Sequence, residues 1–299
     1  MPDPVIVLAA PRSFTSVVGA MLGQHPQMYG LPEVNLFVAE TISERAGAMA
    51  GRGPSHHGLL RVIAQLFAGE QTVQTTAYAR RWLEKRANRT CVSVFRELAE
   101  KVSPRVLVDK SPRTIMRAES LQRVRRAFPS ARFIHLLRHP RSQCESIWNH
   151  RGHFVADRMG ALDYSTTPPM LDFQRAWYKM QVNIITFLDG VPEGQKIRIR
   201  GEDVLADPDT HLRQTAEWLG VSADEEAIEA MKHPERSPYA SFGPPNAALG
   251  NNPRFLDSPI LHRRSRAQEP TLEGPLGWRP DGRGFSPEVK ELASEFGYR

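Results

Sequence analysis

The chain has 299 residues, 40% hydrophobic and 24% charged, enough for a full core and incompatible with intrinsic disorder. Its net charge of +6, carried mostly by arginine, points to anionic partners such as nucleotides, phosphate, sulfate or acidic surfaces. The excess is small for this length and the basic runs are short, so no nucleic-acid partner is expected. Cys91 and Cys144 are the only cysteines, and their spacing suggests neither a disulfide framework nor a zinc site. No cationic leader precedes a long apolar run, and no window approaches about 18 apolar residues. A soluble, cytoplasmic protein without a membrane span is expected.

Val5 to Ala10 predicts a buried strand: short, β-branched and without alternation. Val17, Val18, Met21 and Leu22 recur at helical spacing, and Gly23 suits the helix end. A mostly helical region is expected from Asn35 to Lys101, broken near Ala50-Gly51-Arg52-Gly53-Pro54. Further strands are expected at Pro104–Val108, Arg132–Leu137 and Lys196–Arg200. Asp207-Pro208 then reads as the N-cap and first residue of a helix that ends before Gly220. From about 233 to 284 proline, glycine and asparagine dominate, as in a functional covering loop or a disordered segment. Ser286 to Tyr298 reads as a closing helix.

Strands alternating with helices predict an α/β fold, a parallel sheet flanked by helices on both faces. Ligands of such sheets sit beyond the carboxyl ends of the strands. Arg12, Lys110 and Arg138 all stand just past predicted strand ends. In the first turn, Pro-Arg-Ser-Phe-Thr-Ser, a helix N-terminus supplies unpaired N–H groups to an anion. Ser13, Thr15 and Ser16 add hydroxyls and Arg12 a planar fork of charge. The same residues also suit a capped helix start with a solvated arginine. The segment LLRHPRSQCES forms a second cationic helix start, flanked by Arg138 and Arg141.

These residues resemble the sulfotransferases that use 3′-phosphoadenosine 5′-phosphosulfate (PAPS). PRSFTS is similar to the family's 5′-phosphosulfate loop, and Arg138 with Ser146, eight residues on, resembles its 3′-phosphate motif. RGEDVLADPDTHLRQTAEWLG is similar to the strand, acidic pair and helix that follow. The resemblance implies a P-loop-like sulfotransferase fold over a single domain, residues 1–299, with the segment at about 233–284 covering the acceptor. It implies PAPS as co-substrate, 3′-phosphoadenosine 5′-phosphate (PAP) as product, and no metal. Arg12, Ser13, Phe14, Thr15, Ser16, Arg138 and Ser146 would hold the nucleotide. Phe14 stands where the family often has glycine, and Gly201 replaces a common tyrosine. The family's basic contact near the C-terminus has no clear match; Arg263, Arg264 and Arg266 are candidates.

QHPQMYGLPEVNLF resembles the branch that uses a glutamate base, which implies Glu33 as base, Lys110 on the leaving-group side and Arg12 against developing charge. His25, by this reading, is structural, as are Glu202 and Asp203. His56 and His57 read as solvated, and His150 with His153 lack a third metal ligand. Trp82, Trp148 and Trp177 read as core. The resemblance leaves the acceptor as a hydroxyl on a small molecule, a lipid or a carrier-bound acyl chain. Phe37, Leu59, Ile63, Leu66 and Phe67 suit either an acyl groove or a helical core. A P-loop kinase-like phosphotransferase, which needs Mg²⁺ and a triphosphate, and a non-catalytic nucleotide-binding module are the competing readings.

Overall fold

The computed structural model describes residues 2–51, 53–149, 161–263, 265 and 269–299. Its strands are β1 (Val5–Leu8), β2 (Met28–Gly30), β3 (Val106–Asp109), β4 (Arg132–Leu137), β5 (Leu162–Asp163), β6 (Met170–Leu171) and β7 (Lys196–Arg200). Five of them make the central sheet, in the order β2-β3-β1-β4-β7. All its pairings are parallel: Val5 lies opposite both Val108 and Arg132, and Leu137 opposite Arg200. The expected parallel α/β architecture is therefore present, with β1 in the middle.

Burial of β1 on both faces explains its unbroken apolar run. Ile6, Leu8 and Ala10 enter one hydrophobic cluster while Val5, Val7 and Ala9 enter the other, as the two-residue period of a strand requires. Helix α1 (Thr15–Gly23) covers the second face. Helices α2 (Ile42–Met49), α3 (His57–Ala68), α4 (Val73–Glu84) and α5 (Cys91–Val102) form the crossover to β3. Thr41 and Glu44 close a capping box at the start of α2, and Thr72 and Thr90 cap the starts of α4 and α5. After β3, α6 (Ala118–Ala127) returns to β4, and α7 (Pro140–Asn149) leaves it. Helix α8 (Phe173–Asp189) leads back to β7.

Strands β4 and β7 have the bounds expected from sequence. The three-residue β2 was not anticipated, nor the antiparallel hairpin of β5 and β6. Such short elements carry too few residues for periodicity to register. A further helix, α9 (Gly201–Ala206), is inserted before the Asp207-capped α10 (Pro208–Leu219). Next follow α11 (Glu225–Met231), α12 (Pro253–Asp257) and α13 (Pro287–Glu295), the last inside the expected tail helix.

The segment at about 233–284 is not a loose covering throughout. Tyr239, Ala247, Leu272, Leu276 and Trp278 are buried in the core. Arg279 is almost fully buried and bonds Asp163, Asp172 and Asp281 at 2.6–2.8 Å, which ties this segment to the β5–β6 hairpin. Buried charges need such complete pairing. Both cysteines are buried free thiols.

Candidate active site

Beyond β1 the chain makes a turn in which Arg12 and Phe14 have left-handed backbones, φ 72° and 60°. Phe14 is the N-cap of α1, and no side chain caps that helix end. The first N–H groups of α1 thus face the carboxyl edge of the sheet, where they favour an anion. Side chains from the next strand end brace the turn. Arg138 donates to the Arg12 carbonyl at 2.6 Å, and Gln143 on α7 to the Pro11 carbonyl at 2.7 Å. Arg12 Nε donates to Ser146 Oγ at 3.0 Å. Two helical turns carry Ser146 from the start of α7 to this partner, which is the physical content of its spacing from Arg138.

Lys110 arrives from β3. Its stem crosses α1 at Gly19, where a Cβ would fall 2.9 Å from Lys110 Cγ. Its ammonium is 1% exposed, 3.5 Å from Ser16 Oγ and 3.7 Å from Glu33 Oε1. Burial lowers the Lys110 pKa, and the carboxylates of Glu33 and Asp109 oppose that shift. Burial also lowers that of Arg12, helped by the nearby charge of Arg254 and opposed by Glu33. Arg12, Lys110 and Arg138 thus meet at one edge, as expected.

Glu33 is held by its backbone while its side chain remains 32% exposed. Its N–H donates to the Gly250 carbonyl at 2.7 Å. Its own carbonyl packs on Gly58, where a Cβ would be only 2.3 Å away. Arg45, fully buried, donates to the carbonyls of Val34 and Asn35 at 2.6 and 3.0 Å. The N–H of Asn35 donates to Ser111 Oγ, which donates to Asp109 Oδ1 at 2.7 Å. Burial raises the Asp109 pKa to about 6 against the pull of Ser111 and Lys110.

Of these groups, Arg12, Ser16, Glu33, Arg138 and Gly250 border a cavity of about 1040 Å³. Pro11, Arg12, Phe14–Ser16 and Arg138 form a cationic wall; Ala50, Pro54, Met116, Ile147, Leu249 and Phe255 form an apolar one, with Glu33 between them. Asn252 N donates to Ser16 Oγ at 3.1 Å, joining the walls. Of the long C-terminal segment, the part that faces the cavity is Leu249–Phe255.

Several expectations are corrected. The Arg141 guanidinium does not face the cavity; it is taken up by the carbonyls of Thr271, Glu273, Gly274 and Pro275. Phe37, Leu59 and Ile63 are fully buried core, and Leu66 and Phe67 pack against that core, so no acyl groove forms there. His57 is not merely solvated: its Nδ1 accepts from Leu249 N, and burial lowers its pKa to about 4. Trp82 and Trp177 are core, whereas Trp148 is 39% exposed. Arg263 pairs with Asp209 at the surface. His150, His153, Arg264 and Arg266 lie outside the described residues.

His25 is locked between Ser222 O and Gln27 N. Glu202 accepts from His139 N and Tyr298 OH, and Asp203 pairs with Arg200. Each is engaged in holding the fold. Gln143, Arg113, Arg254 and Asn252 were missed, because nothing local marks a side chain or N–H whose partner lies far away in the sequence. Arg113 lines the cavity and donates to Ser55 Oγ at 2.8 Å.

The donor set suits the nucleotide that the resemblance implies. Among the described residues, the buried Ser13 Oγ has no hydrogen-bond partner beside the uncapped start of α1, a pairing that an anionic ligand would satisfy. Among the described residues no group of three or more His, Cys, Asp or Glu side chains is placed to hold a metal ion. No helix among them is long and apolar enough to cross a membrane.

Residues 4–225 match the profile of the Sulfotransferase family. The sulfotransferase domain from the curacin biosynthetic pathway is 23% identical, with a TM-score of 0.81 over 100% of this chain and 99% of its own. That of the Synechococcus PCC 7002 olefin synthase is also 23% identical, with a TM-score of 0.73 over 100% and 96%. A sulfotransferase from Mycobacterium avium is 14% identical, with a TM-score of 0.51 over 99% and 76%. These likenesses carry the fold, the P-loop-like one expected from sequence. No curated protein sequence matches the chain.

Proposed function

Because the chain belongs to the sulfotransferase family, we propose that it moves a sulfuryl group from PAPS to the hydroxyl of an acceptor with an apolar body. The observation that carries this reading is the meeting of three cations from separate strand ends. Arg138 is bonded to Arg12 at the cavity wall, and Lys110 lies buried behind that wall against Ser16 and Glu33.

Residue roles follow from position. Arg12, Ser13, Phe14, Thr15 and Ser16, with the N–H groups opening α1, bind the 5′-phosphosulfate end. Arg138 and Ser146 bind the 3′-phosphate. The nucleotide supplies the activated sulfuryl group. Glu33 Oε1 removes the acceptor proton, its value lying in position within a walled site rather than in basicity. Lys110, held 3.7 Å from that oxygen, steadies the carboxylate and, with Arg12, opposes charge that develops toward the leaving phosphate.

A triphosphate kinase is disfavoured by chemistry in the turn itself. PRSFTS has no lysine followed by Ser or Thr, and the site's lysine comes from β3, so nothing in the loop marks a Mg²⁺-triphosphate cradle. The acceptor is an alcohol on a small molecule, a lipid or a carrier-bound acyl chain. Its apolar body is suggested by the wall of Pro54, Met116, Ile147, Leu249 and Phe255. Two of the similar structures are sulfotransferase domains of a biosynthetic pathway and of a synthase, which favours the carrier-bound form. Calorimetry with PAP and with ATP plus Mg²⁺ tests the reading. Tight binding of PAP and weak binding of ATP are expected; the reverse order would overturn it.

A further inference from the structure

Phe14 is an unusual occupant of an anion-binding turn. A φ of 60° strains a bulky side chain, whereas glycine adopts it freely. Such a conformation persists when its neighbours over-determine it, and the ring has two defined neighbours. The Arg138 guanidinium carbon lies 4.6 Å from its centroid, within cation–π range. On its other side is Gly201, the first residue of α9. A Cβ there would fall 2.5 Å from Phe14 Cδ2 and 3.2 Å from the Leu137 carbonyl. The ring therefore occupies the space that any side chain at position 201 would need. With one N–H bonded to the Arg12 carbonyl and its face on the ring, the Arg138 guanidinium has a fixed plane at the cavity wall.

We infer that Phe14 is a positioning residue for Arg138 and that Gly201 is the gap that admits its ring. The two act as one size-matched pair that sets how tightly the cavity holds a 3′-phosphorylated adenine nucleotide. This rests on the proposed assignment of Arg138 to the 3′-phosphate. The pairing is reciprocal: a large residue at one position requires a small one at the other. It places the ring on the phosphate turn rather than at the head of α9.

The test is calorimetry with PAP and with 5′-AMP, which differ only in the 3′-phosphate. Phe14→Gly and Phe14→Leu should each lower the preference for PAP over 5′-AMP by about three- to thirtyfold, a ratio in which any loss at the shared 5′ end cancels. Gly201→Ala should do the same, because its Cβ displaces the ring. The double variant Phe14→Gly with Gly201→Phe should regain part of the loss. Phe14→Leu, which keeps bulk and loses the π face, carries the test if Phe14→Gly does not fold. Equal weakening of both nucleotides, or no effect of Gly201→Ala on PAP, would overturn the inference. A wild-type protein that does not prefer PAP over 5′-AMP would instead defeat the assignment of Arg138, and the inference with it.

Discussion

The cationic wall of the cavity, Pro11, Arg12 and Phe14–Ser16 with Arg138, is made of short turns that leave neighbouring parallel strands. The apolar wall draws on Ala50, Pro54, Met116, Leu249 and Phe255, from the longer connections between or after the strands, together with Ile147 of α7. A strand end has its direction set by the sheet, so one or two residues beyond it suffice to aim a charge. A long connection has no such frame and must be tied down contact by contact. Gly250 to Glu33, Leu249 to His57 and Asn252 to Ser16 are those ties. In proteins of this architecture the strand ends determine where a nucleotide sits, while the connections vary what it meets.

Glu33 stands between the walls, so its variant probes the division most severely. Glu33→Ala is expected to lower turnover by roughly 10²- to 10⁴-fold and leave PAP affinity within about twofold. Turnover assays beside calorimetry check this, and equal loss of both would erase the division of roles. Arg138→Ala is expected to weaken PAP by roughly ten- to a hundredfold, the loss of one charge-assisted phosphate contact. Titration at low and high salt would show whether that loss is electrostatic.

A subtler test concerns the support of the cationic wall. The folded-state pKa of Asp109 lies at about 6, above its ordinary 3.8. The folded protein therefore holds this proton more tightly than the unfolded chain, and ionisation costs stability as pH rises through that window. Below about pH 4 both states are protonated and the cost is absent. Between about pH 4 and pH 6.5, Asp109→Asn should gain roughly 1–3 kcal/mol relative to wild type. Urea denaturation across that range reads the difference, and parallel curves would reject it. Smallest of all, Met116→Ala on the apolar wall should raise the acceptor KM about two- to fivefold, given the modest burial lost. PAP affinity should not move, as calorimetry would verify.

Much of the fold was legible because strand patterning is local. The apolar run of Val5–Leu8 and the bounds of β4 and β7 could be read without any partner in view. The cations of the site were legible for the same reason, each standing one residue or a few past a strand end. Arg141 misled the reading, since charge beside a helix start looks alike whether it faces a ligand or a set of carbonyls. Phe37, Leu59 and Ile63 showed the matching ambiguity among apolar residues, which periodicity alone cannot resolve into groove or core.

By itself the sequence determined the alternation of strand and helix, the excess of arginine, and a turn whose hydroxyls and helix start suit an anion. Tertiary structure alone decided that Phe14 fills the space left by Gly201, that Gly19 lets Lys110 cross α1, and that Leu249–Phe255 complete the cavity. The reason is range. Hydrogen-bonded elements are specified by neighbours a few residues apart, whereas a side chain's final partner depends on which distant backbone the packed core brings within van der Waals contact.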